Sequence, residues 1–435
     1  MMIRRNPELI GQGDFFDVLK GVIREHESER TRLDMLSRYY RGDHDILYTE
    51  PEEGSSTFRR SLLTTPRLVC NYAKFITDMA TGYMFGKPVE YRMGTAKAAV
   101  TDEEGFAELF DKNSDGTDKR RLRLGAAMTE RPTDVAAGCA DLKKGSEKSG
   151  DLVSAVAAAE SAIHDAELGK ALSVYGYAFE LVYFKEAEPN LAVIDPTGAF
   201  VVYDDTVKAE PVFAVVIQDK TAVVYFSDYV YEYALDMGKE LSKEKNMFGE
   251  IPLIQYWNNE EGMGDFEAVL SLIDAYNILQ SDRVADKQRF VNAILKVSGA
   301  AFETDEYGRL SGDAKALLRS GILQLPEDAE ASYLTKSMDE ADWEILRNSI
   351  ASDIHKFSQI PDFSDRHFAG NSSGVALRFK LISLEYLCRV KERFFASGLK
   401  ARLKLFAAAL FAAGFSEADS NEVEIIFHRE LPFEM

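Results

Sequence analysis

The sequence predicts an α+β protein, in which long helices flank a middle segment that is rich in strand signals. Residues 265–292 contain neither Gly nor Pro and place apolar residues at helical spacing. Residues 372–413 form the longest helical pattern, whereas residues 167–235 carry short β-branched and aromatic runs separated by turns that contain Asp. With 46% hydrophobic residues over 435 positions, the composition is globular and excludes a wholly disordered chain.

The N-terminal part is predicted to contain two helices, a strand and a long insertion. Helical patterns cover residues 14–41 and 67–85, with a loop at 43–66 between them. Residues 89–93 then alternate like a short strand. Residues 95–165 are rich in Ala, Gly, Asp, Lys and Ser, and we expect a mobile insertion there.

The spacing of hydrophobic residues and the positions of Gly and Pro predict the remaining elements. Residues 293–340 switch to short strands and a short helix, residues 343–357 return to helix, and residues 361–370 form a loop. Gly398 predicts a bend in the long helix, which would reach about 60 Å if straight. Individual strands are expected at 177–184, 191–194, 200–203, 212–217, 222–226 and 423–427.

The charge balance argues against tight binding of nucleic acid over the whole surface. Lys and Arg total 51 and Asp and Glu total 72, so the net charge is −21. The segment Lys356–Lys404 is an exception, with ten basic and four acidic residues, or +6 (10 − 4). Contact with a polyanion, pairing with an acidic neighbouring subunit and a solvated face with salt bridges all fit this excess. Pairing between subunits is favoured, because the rest of each neighbour is acidic.

No motif predicts a metal site or a cofactor. The three cysteines form no CxxC pair, and the six histidines form no HxH, HxxxH or HExxH pattern. Residues 370–374 match G-x-S-x-G, so a Ser hydrolase that uses Ser372 is an alternative to a structural protein. The preceding residues make no convincing strand, and capping of the long helix by this segment is the stronger interpretation.

Apolar stretches are too short for a membrane span. No run of about 18 apolar residues occurs, and charged residues interrupt each apolar run in the first 21 positions. We therefore expect neither a membrane helix nor a signal peptide. The scattered, odd-numbered cysteines fit a reducing, intracellular setting.

An ordered series of short motifs resembles the SPP1-type phage portal proteins. The segments VCNYAKFITD at 69–78 and GYMFGKPVEY at 82–91 resemble the signature of that family. The later motifs follow in the family's order. Those at 176–180, 194–196 and 202–206 resemble its wing, those at 251–259 and 272–277 the entry into the stem, and those at 360–377 the tunnel loop and the start of the long helix.

This resemblance implies a phage portal fold with a wing, stem helices, a clip and a tunnel loop. The C-terminal crown of the family would be absent or truncated. The implied segments are a wing at 1–264 that includes the insertion, a stem helix at 265–292, a clip at 293–341, a second stem helix at 342–358, a tunnel loop at 360–371, and the long wing helix with a terminal strand at 372–435.

The resemblance also implies a portal, or head-tail connector, protein that forms a ring, typically of twelve subunits, at one capsid vertex. Double-stranded DNA would pass through its channel during packaging and ejection. The implied partners are the terminase large subunit, head-completion or adaptor proteins, and the major capsid and scaffolding proteins, with no membrane partner. The protein would reside in the virion, and in the host cytoplasm during assembly. It would be neither an enzyme nor a cofactor-binding protein; a non-portal structural adaptor of a phage-like particle is the other alternative.

The resemblance places four residues in the tunnel loop, where they would line the narrowest part of the channel: Asp365, Arg366, His367 and Asn371. Three basic residues near this loop, Lys356, Arg378 and Lys380, are candidates for contacts with DNA or with a neighbouring subunit. No catalytic or metal-binding residue is predicted.

Overall fold

The computed structural model of the protein divides into two compact units. Unit 1 comprises Met1–Arg41, Lys74–Ala268 and Ser358–Met435, and unit 2 comprises Gly42–Ala73 and Val269–Phe357. Most of the predicted insertion at 95–165 lies outside the described residues. The structure describes residues 2–7, 15–48, 66–93, 152–159, 161–185, 188–291, 294–298, 330–334, 340–363, 374–413 and 419–429.

In the described chain a run of consecutive strands in the middle is flanked by helices on both sides, as the α+β prediction requires. The helices are α1 (Phe15–Arg41), α2 (Tyr72–Phe85), α3 (Ser161–Tyr175), α4 (Leu270–Val291), α5 (Glu340–Ser358) and α6 (Gly374–Ala412). The strands are β1 (Ile3–Arg4), β2 (Glu90–Met93), β3 (Tyr177–Lys185), β4 (Glu188–Ile194), β5 (Ala199–Tyr203), β6 (Pro211–Gln218), β7 (Thr221–Tyr225), β8 (Tyr229–Ala234), β9 (Lys239–Lys245), β10 (Leu253–Trp257), β11 (Ile294–Ser298), β12 (Glu330–Leu334) and β13 (Val423–Ile426).

The core of unit 1 lies between α1 and a six-stranded sheet of order β1-β5-β6-β7-β8-β9. Strand β1 runs parallel to β5, and the other neighbours form an antiparallel meander. Helix α1 buries Phe16, Leu19 and Val22 against this sheet, and full burial of each such side chain stabilises the fold by roughly 1.5–3 kcal/mol. The predicted helix at 14–41 is confirmed, as are the predicted strands of the sheet.

A second sheet of unit 1 has the order β10-β3-β4, and helix α3 directly precedes its central strand β3. Residues 167–175 were predicted to be part of a β-rich segment, and that prediction is wrong. They belong to α3, because Leu168 and Leu172 recur at the four-residue spacing of a helix and are both fully buried. Gly176 then adopts a positive φ of 86° and ends the helix, so the strand signals begin only at Tyr177.

The predicted start of α2 is also wrong, since residues 67–71 are not helical. In unit 2 the backbone N–H of Leu68 donates to Ser281 Oγ at 2.9 Å, and that of Cys70 donates to Asn277 Oδ1 at 2.7 Å. Asn277 is buried and also contacts His44 Nδ1 at 3.1 Å. Partners more than 200 positions away therefore replace the hydrogen bonds of a first helical turn.

Unit 2 contains α4, the hairpin β11–β12 and α5. The hairpin is antiparallel, with Ile294 opposite Leu334 and Ser298 opposite Glu330. The predicted helix at 265–292 is confirmed from Leu270 onward, after a 3-10 turn at Glu267–Val269. The predicted helix at 343–357 lies within α5. The residues between the two hairpin strands lie outside the described part of the chain.

Helix α6 is the longest described element of unit 1, with 39 residues and a length of roughly 58 Å. It packs on the sheet formed by β10, β3 and β4, and after it β13 pairs antiparallel with β2. Gly398 lies where α6 meets the ring of Tyr256: a Cβ at this position would lie 2.3 Å from ring atoms. Glycine is therefore needed there for close packing. Among the described helices, none is both long and apolar enough to cross a membrane.

Candidate functional site

The residues predicted to line a channel fall largely outside the described part of the chain. This holds for Asp365, Arg366, His367 and Asn371, and for the side chain of Arg378. Lys356 is exposed on α5, with Nζ 5.4 Å from the centre of the Phe357 ring. Lys380 is half-buried on α6. The roles given to all seven residues remain predictions.

The basic excess around α6 separates into buried and exposed residues. Arg402 is fully buried and contacts two carboxylates. Its Nε donates to Glu180 Oε2 at 3.0 Å, its Nη2 lies 2.6 Å from Glu180 Oε1, and its Nη1 lies 2.7 Å from Asp165 Oδ1. Tyr256 Oη donates to Glu180 at 2.6 Å, and Arg402 Nη1 donates to Tyr91 Oη at 3.0 Å. We call Arg402, Glu180, Asp165, Tyr256 and Tyr91 the Arg402 cluster.

One guanidinium cannot neutralise two carboxylates, and the pKa values of Glu180 and Asp165 shift in opposite directions. Burial alone would raise the pKa of Glu180, but the Arg402 charge and hydrogen bonds from Arg402 and His164 outweigh it and lower that pKa to about 2. Burial raises the pKa of Asp165 above its ordinary value, since Arg402 offsets only part of the cost and Glu180 repels its charge. Of the two carboxylates, Glu180 therefore forms the stronger ion pair with Arg402.

A second buried pair joins α6 to the segment that precedes α4. Lys391 Nζ lies 2.5 Å from Asp265 Oδ2, and both side chains are almost fully buried. Asp265 also accepts hydrogen bonds from Ser173 Oγ at 2.5 Å and from Asn258 Nδ2 at 2.9 Å. The carboxylate thus has three donors, the condition under which a buried ion pair is tolerated.

An arginine on α1 fixes the same segment two residues further on. Arg32 donates to both carboxylate oxygens of Glu267, at 2.6 and 2.5 Å, and its Nη2 donates to the carbonyl oxygen of Gly262 at 3.0 Å. Burial alone would lower the pKa of Arg32, but the carboxylates of Glu267 and Glu29 outweigh it and raise that pKa. The last residues of unit 1 before α4 are therefore held by α1 as well as by α6.

These contacts correct the interpretation of the basic segment. The sequence sets only four acids within residues 356–404 against ten basic residues, but Asp165, Glu180 and Asp265, which pair with Arg402 and Lys391, all lie elsewhere in the same chain. The sequence carries a signal for this burial. Lys391 and Arg402 share the helical phase of the buried residues Leu384, Cys388, Phe395, Leu399 and Phe406.

The opposite face of α6 is exposed and changes character along its length. Its N-terminal half presents Phe379, Ile382, Tyr386 and Val390, and its C-terminal half presents basic residues, among them Arg393 and Lys400. At one flank Arg429 pairs with both Glu385 and Glu392, and Glu385 accepts a hydrogen bond from Tyr83 Oη at 2.9 Å. We call the exposed positions 379, 382, 386, 390, 393, 397 and 400 the outer face of α6.

Neither a metal-binding group nor the complete G-x-S-x-G motif is found among the described residues. They hold no group of three or more His, Cys, Asp or Glu side chains arranged to bind a metal ion. Ser372 of the G-x-S-x-G match lies outside the described residues, and Ile360–Phe363 form no strand of the kind that precedes a nucleophile elbow.

Comparison with known proteins identifies the family. The profile of the family described as phage portal protein, SPP1 Gp6-like, matches residues 19–128 and 146–434. The portal protein of Bacillus phage SPP1 is 26% identical over 194 residues, which cover 42% of this chain and 35% of that protein. The matched segment thus spans about a third of the length of that relative.

Two solved structures are similar at low scores. A chain from the neck of a native GTA particle, computed with C12 symmetry, has a TM-score of 0.34 and 12% identity, covering 61% of this chain and 71% of that one. A chain from the neck of an empty GTA particle, computed with C6 symmetry, has a TM-score of 0.32 and 11% identity, covering 60% and 68%. These scores are too low to carry an argument. The family profile matches most of the chain and confirms the resemblance seen in the motifs, and the chain belongs to the SPP1 Gp6-like family of phage portal proteins.

Proposed function

We propose that this chain is the subunit of a portal ring at one capsid vertex, through which double-stranded DNA enters and leaves the particle. The observation that carries the proposal is the family match over residues 19–128 and 146–434. The proposed role is structural: the ring guides the duplex, and a separate motor supplies the energy.

The element order supports the proposed division into wing, stem, clip and tunnel loop. Unit 2 runs from Val269 to Phe357, apart from its contribution from residues 42–73. These limits lie within a few residues of the proposed stem and clip, 265–358. Within them, α4 and α5 would be the stem helices, and the hairpin β11–β12 would belong to the clip. In unit 1, α6 would be the long wing helix, preceded by the tunnel loop at 360–371.

The charge of the chain suits a conduit in which DNA must slide. A net charge of −21 per subunit repels the phosphates over most of the surface, so the duplex is not held by many simultaneous contacts. Local polar and basic groups would touch it transiently. Asp365, Arg366, His367 and Asn371 of the tunnel loop are the proposed contacts, with Lys356, Arg378 and Lys380 nearby in sequence.

The proposed partners follow from the position of such a ring in a particle. The terminase large subunit would dock on it during packaging, and head-completion or adaptor proteins would replace it afterwards. The major capsid and scaffolding proteins would surround it. The subunit would be found in the virion and, before assembly, in the host cytoplasm.

Electron microscopy and native mass spectrometry test the proposal together. We expect a closed ring with one integral number of subunits, typically twelve, and an axial opening wide enough for a duplex. A protein that stays monomeric at high concentration and in the presence of scaffolding protein would contradict the proposal. A closed particle without an axial opening would instead indicate the adaptor alternative.

A further inference from the structure

The outer face of α6 begins with a continuous apolar stripe. Phe379, Ile382, Tyr386 and Val390 follow one another at spacings of three, four and four residues, so they lie along one side of the helix. Their relative exposures are 66%, 41%, 49% and 48%. Single exposed apolar side chains are ordinary, but a contiguous patch on a folded protein marks an interaction site.

The same face continues as a basic surface. Arg393 and Lys400 are exposed, at the helical phase of the apolar stripe, and neither forms an ion pair with a described residue. Ser397 lies between them. A partner that covers the whole face must therefore bury apolar side chains at one end and supply acidic groups at the other.

We propose that the outer face of α6 contacts a second copy of this chain, and that the neighbouring subunit meets it with a different, acidic surface. This inference rests on the proposed ring. Each copy carries a net charge of −21, so its neighbours supply the acidic groups that Arg393 and Lys400 lack. A DNA duplex would find no phosphate ligands along the apolar stripe, which makes a protein the better occupant.

The asymmetry of the face also selects the kind of contact. If two copies met face to face in parallel, their basic halves would oppose each other. If they met antiparallel, each apolar stripe would lie against the charges of the other copy. A head-to-tail contact avoids both penalties, and contacts of that kind generate closed rings.

A site-specific photocrosslinker at Tyr386 tests the contact directly. A tagged chain that carries p-benzoylphenylalanine in place of Tyr386 is co-expressed with an untagged chain that lacks it, and assembled particles are irradiated. We expect a covalent product that contains both chains, in which the crosslinked peptide of the untagged chain does not include α6. Crosslinks confined to the tagged chain itself, or directed only to a different protein, would overturn the inference.

Charge substitutions on the stripe test its contribution to assembly. The double variant Tyr386→Asp, Val390→Asp should fold as the parent chain does, because both positions are exposed. It should need about tenfold or more higher concentration to form rings. The control Met237→Asp changes a side chain that is 76% exposed on the turn between β8 and β9, and it should assemble normally.

The outcomes separate the inference from the proposed function. If the parent chain and the double variant form rings at the same concentration, the contact is wrong and the ring proposal stands. If the parent chain forms no ring under any condition, the proposed function fails first. Circular dichroism and thermal unfolding of the unassembled variant establish that a loss of rings is not a loss of folding.

Discussion

The Arg402 cluster shows how strongly a single residue can tie distant parts of this chain together. Arg402 is separated by 222 positions from Glu180, and both side chains are fully inaccessible to solvent. Removing one member of such a pair leaves the other charge buried without compensation, which costs more than the pair itself contributes. The long helix is therefore placed on its sheet by charge as well as by apolar contact.

Replacing Arg402 by Met should destabilise the fold strongly. Glu180 would remain buried without its cation, so the free energy of unfolding should fall by about 3–5 kcal/mol. Urea denaturation followed by circular dichroism, at fixed protein concentration, measures this change. The control Arg24→Met removes an exposed charge of helix α1, outside the outer face of α6, and should change stability by less than about 0.5 kcal/mol. Equal losses in both variants would contradict the role of the cluster.

The Glu180 carboxyl gives the cluster a defined pH dependence. Its pKa in the folded chain, about 2, is below its ordinary value of 4.5, so its ionised form adds stability above pH 4.5 that is lost as the pH falls towards 2. His164, Arg402, Asp165 and Tyr256 are the titratable groups that face it.

The comparison of the parent chain with Glu180→Gln isolates this effect. The difference between their unfolding free energies should shrink as the pH falls below about 4.5. Denaturation in urea at a series of pH values provides the measurement. A difference that stays the same from acidic to neutral pH would show that Glu180 is not the group that titrates.

At the scale of elements, α6 depends on one glycine for its close approach to β10. A Cβ at Gly398 would lie 2.3 Å from the ring of the fully buried Tyr256, and that ring has little room to move. Gly398→Ala should therefore lower the free energy of unfolding by about 1–3 kcal/mol, even though alanine favours a helix by about 1 kcal/mol. Thermal or urea unfolding measures the sign of this change in the free energy of unfolding.

Gly21 offers a matched control for that substitution. It lies within α1, and a Cβ added there would meet nothing within 4 Å. Gly21→Ala should therefore raise stability by up to about 1 kcal/mol. If both alanine variants changed stability in the same direction, close packing would not be the reason for the glycine at position 398.

Most elements could be predicted from local patterns, and those that could not depend on partners. Helix α1 was predicted because its apolar positions keep a helical period, and strand β6 because of its β-branched run. Strand β9 was missed: five of the seven residues in its sequence KELSKEK are charged, and six are exposed. It is a strand because it pairs with β8 at the edge of the sheet, where charged residues are usual.

At the scale of the whole molecule, the sequence predicted the family and many of the elements but not the pairing of charges. The motifs are local and ordered, so one chain suffices to recognise them. Lys391 and Asp265 are 126 positions apart. Their local sequences contain no pattern that predicts their pairing. The helical phase of Lys391 does indicate burial, and hence that some buried acid must exist.

The position of the tunnel loop is the remaining prediction at this scale. In a ring, copies of one residue come closer together as that residue approaches the axis. We expect His367→Cys, in a chain whose own cysteines are replaced by Ala, to give a ladder of crosslinked multimers with a short bismaleimide. Denaturing electrophoresis of assembled rings resolves the ladder.

A second cysteine position makes this distance argument decisive. Val207, on the turn between β5 and β6 in the proposed wing, is fully exposed, so Val207→Cys is accessible to the same reagent. In a wing position far from the axis, its copies are too widely spaced to be joined, and the chain should stay single on the gel. The reverse result, a ladder from position 207 and none from position 367, would place the tunnel loop away from the axis, and the proposed channel lining would be wrong.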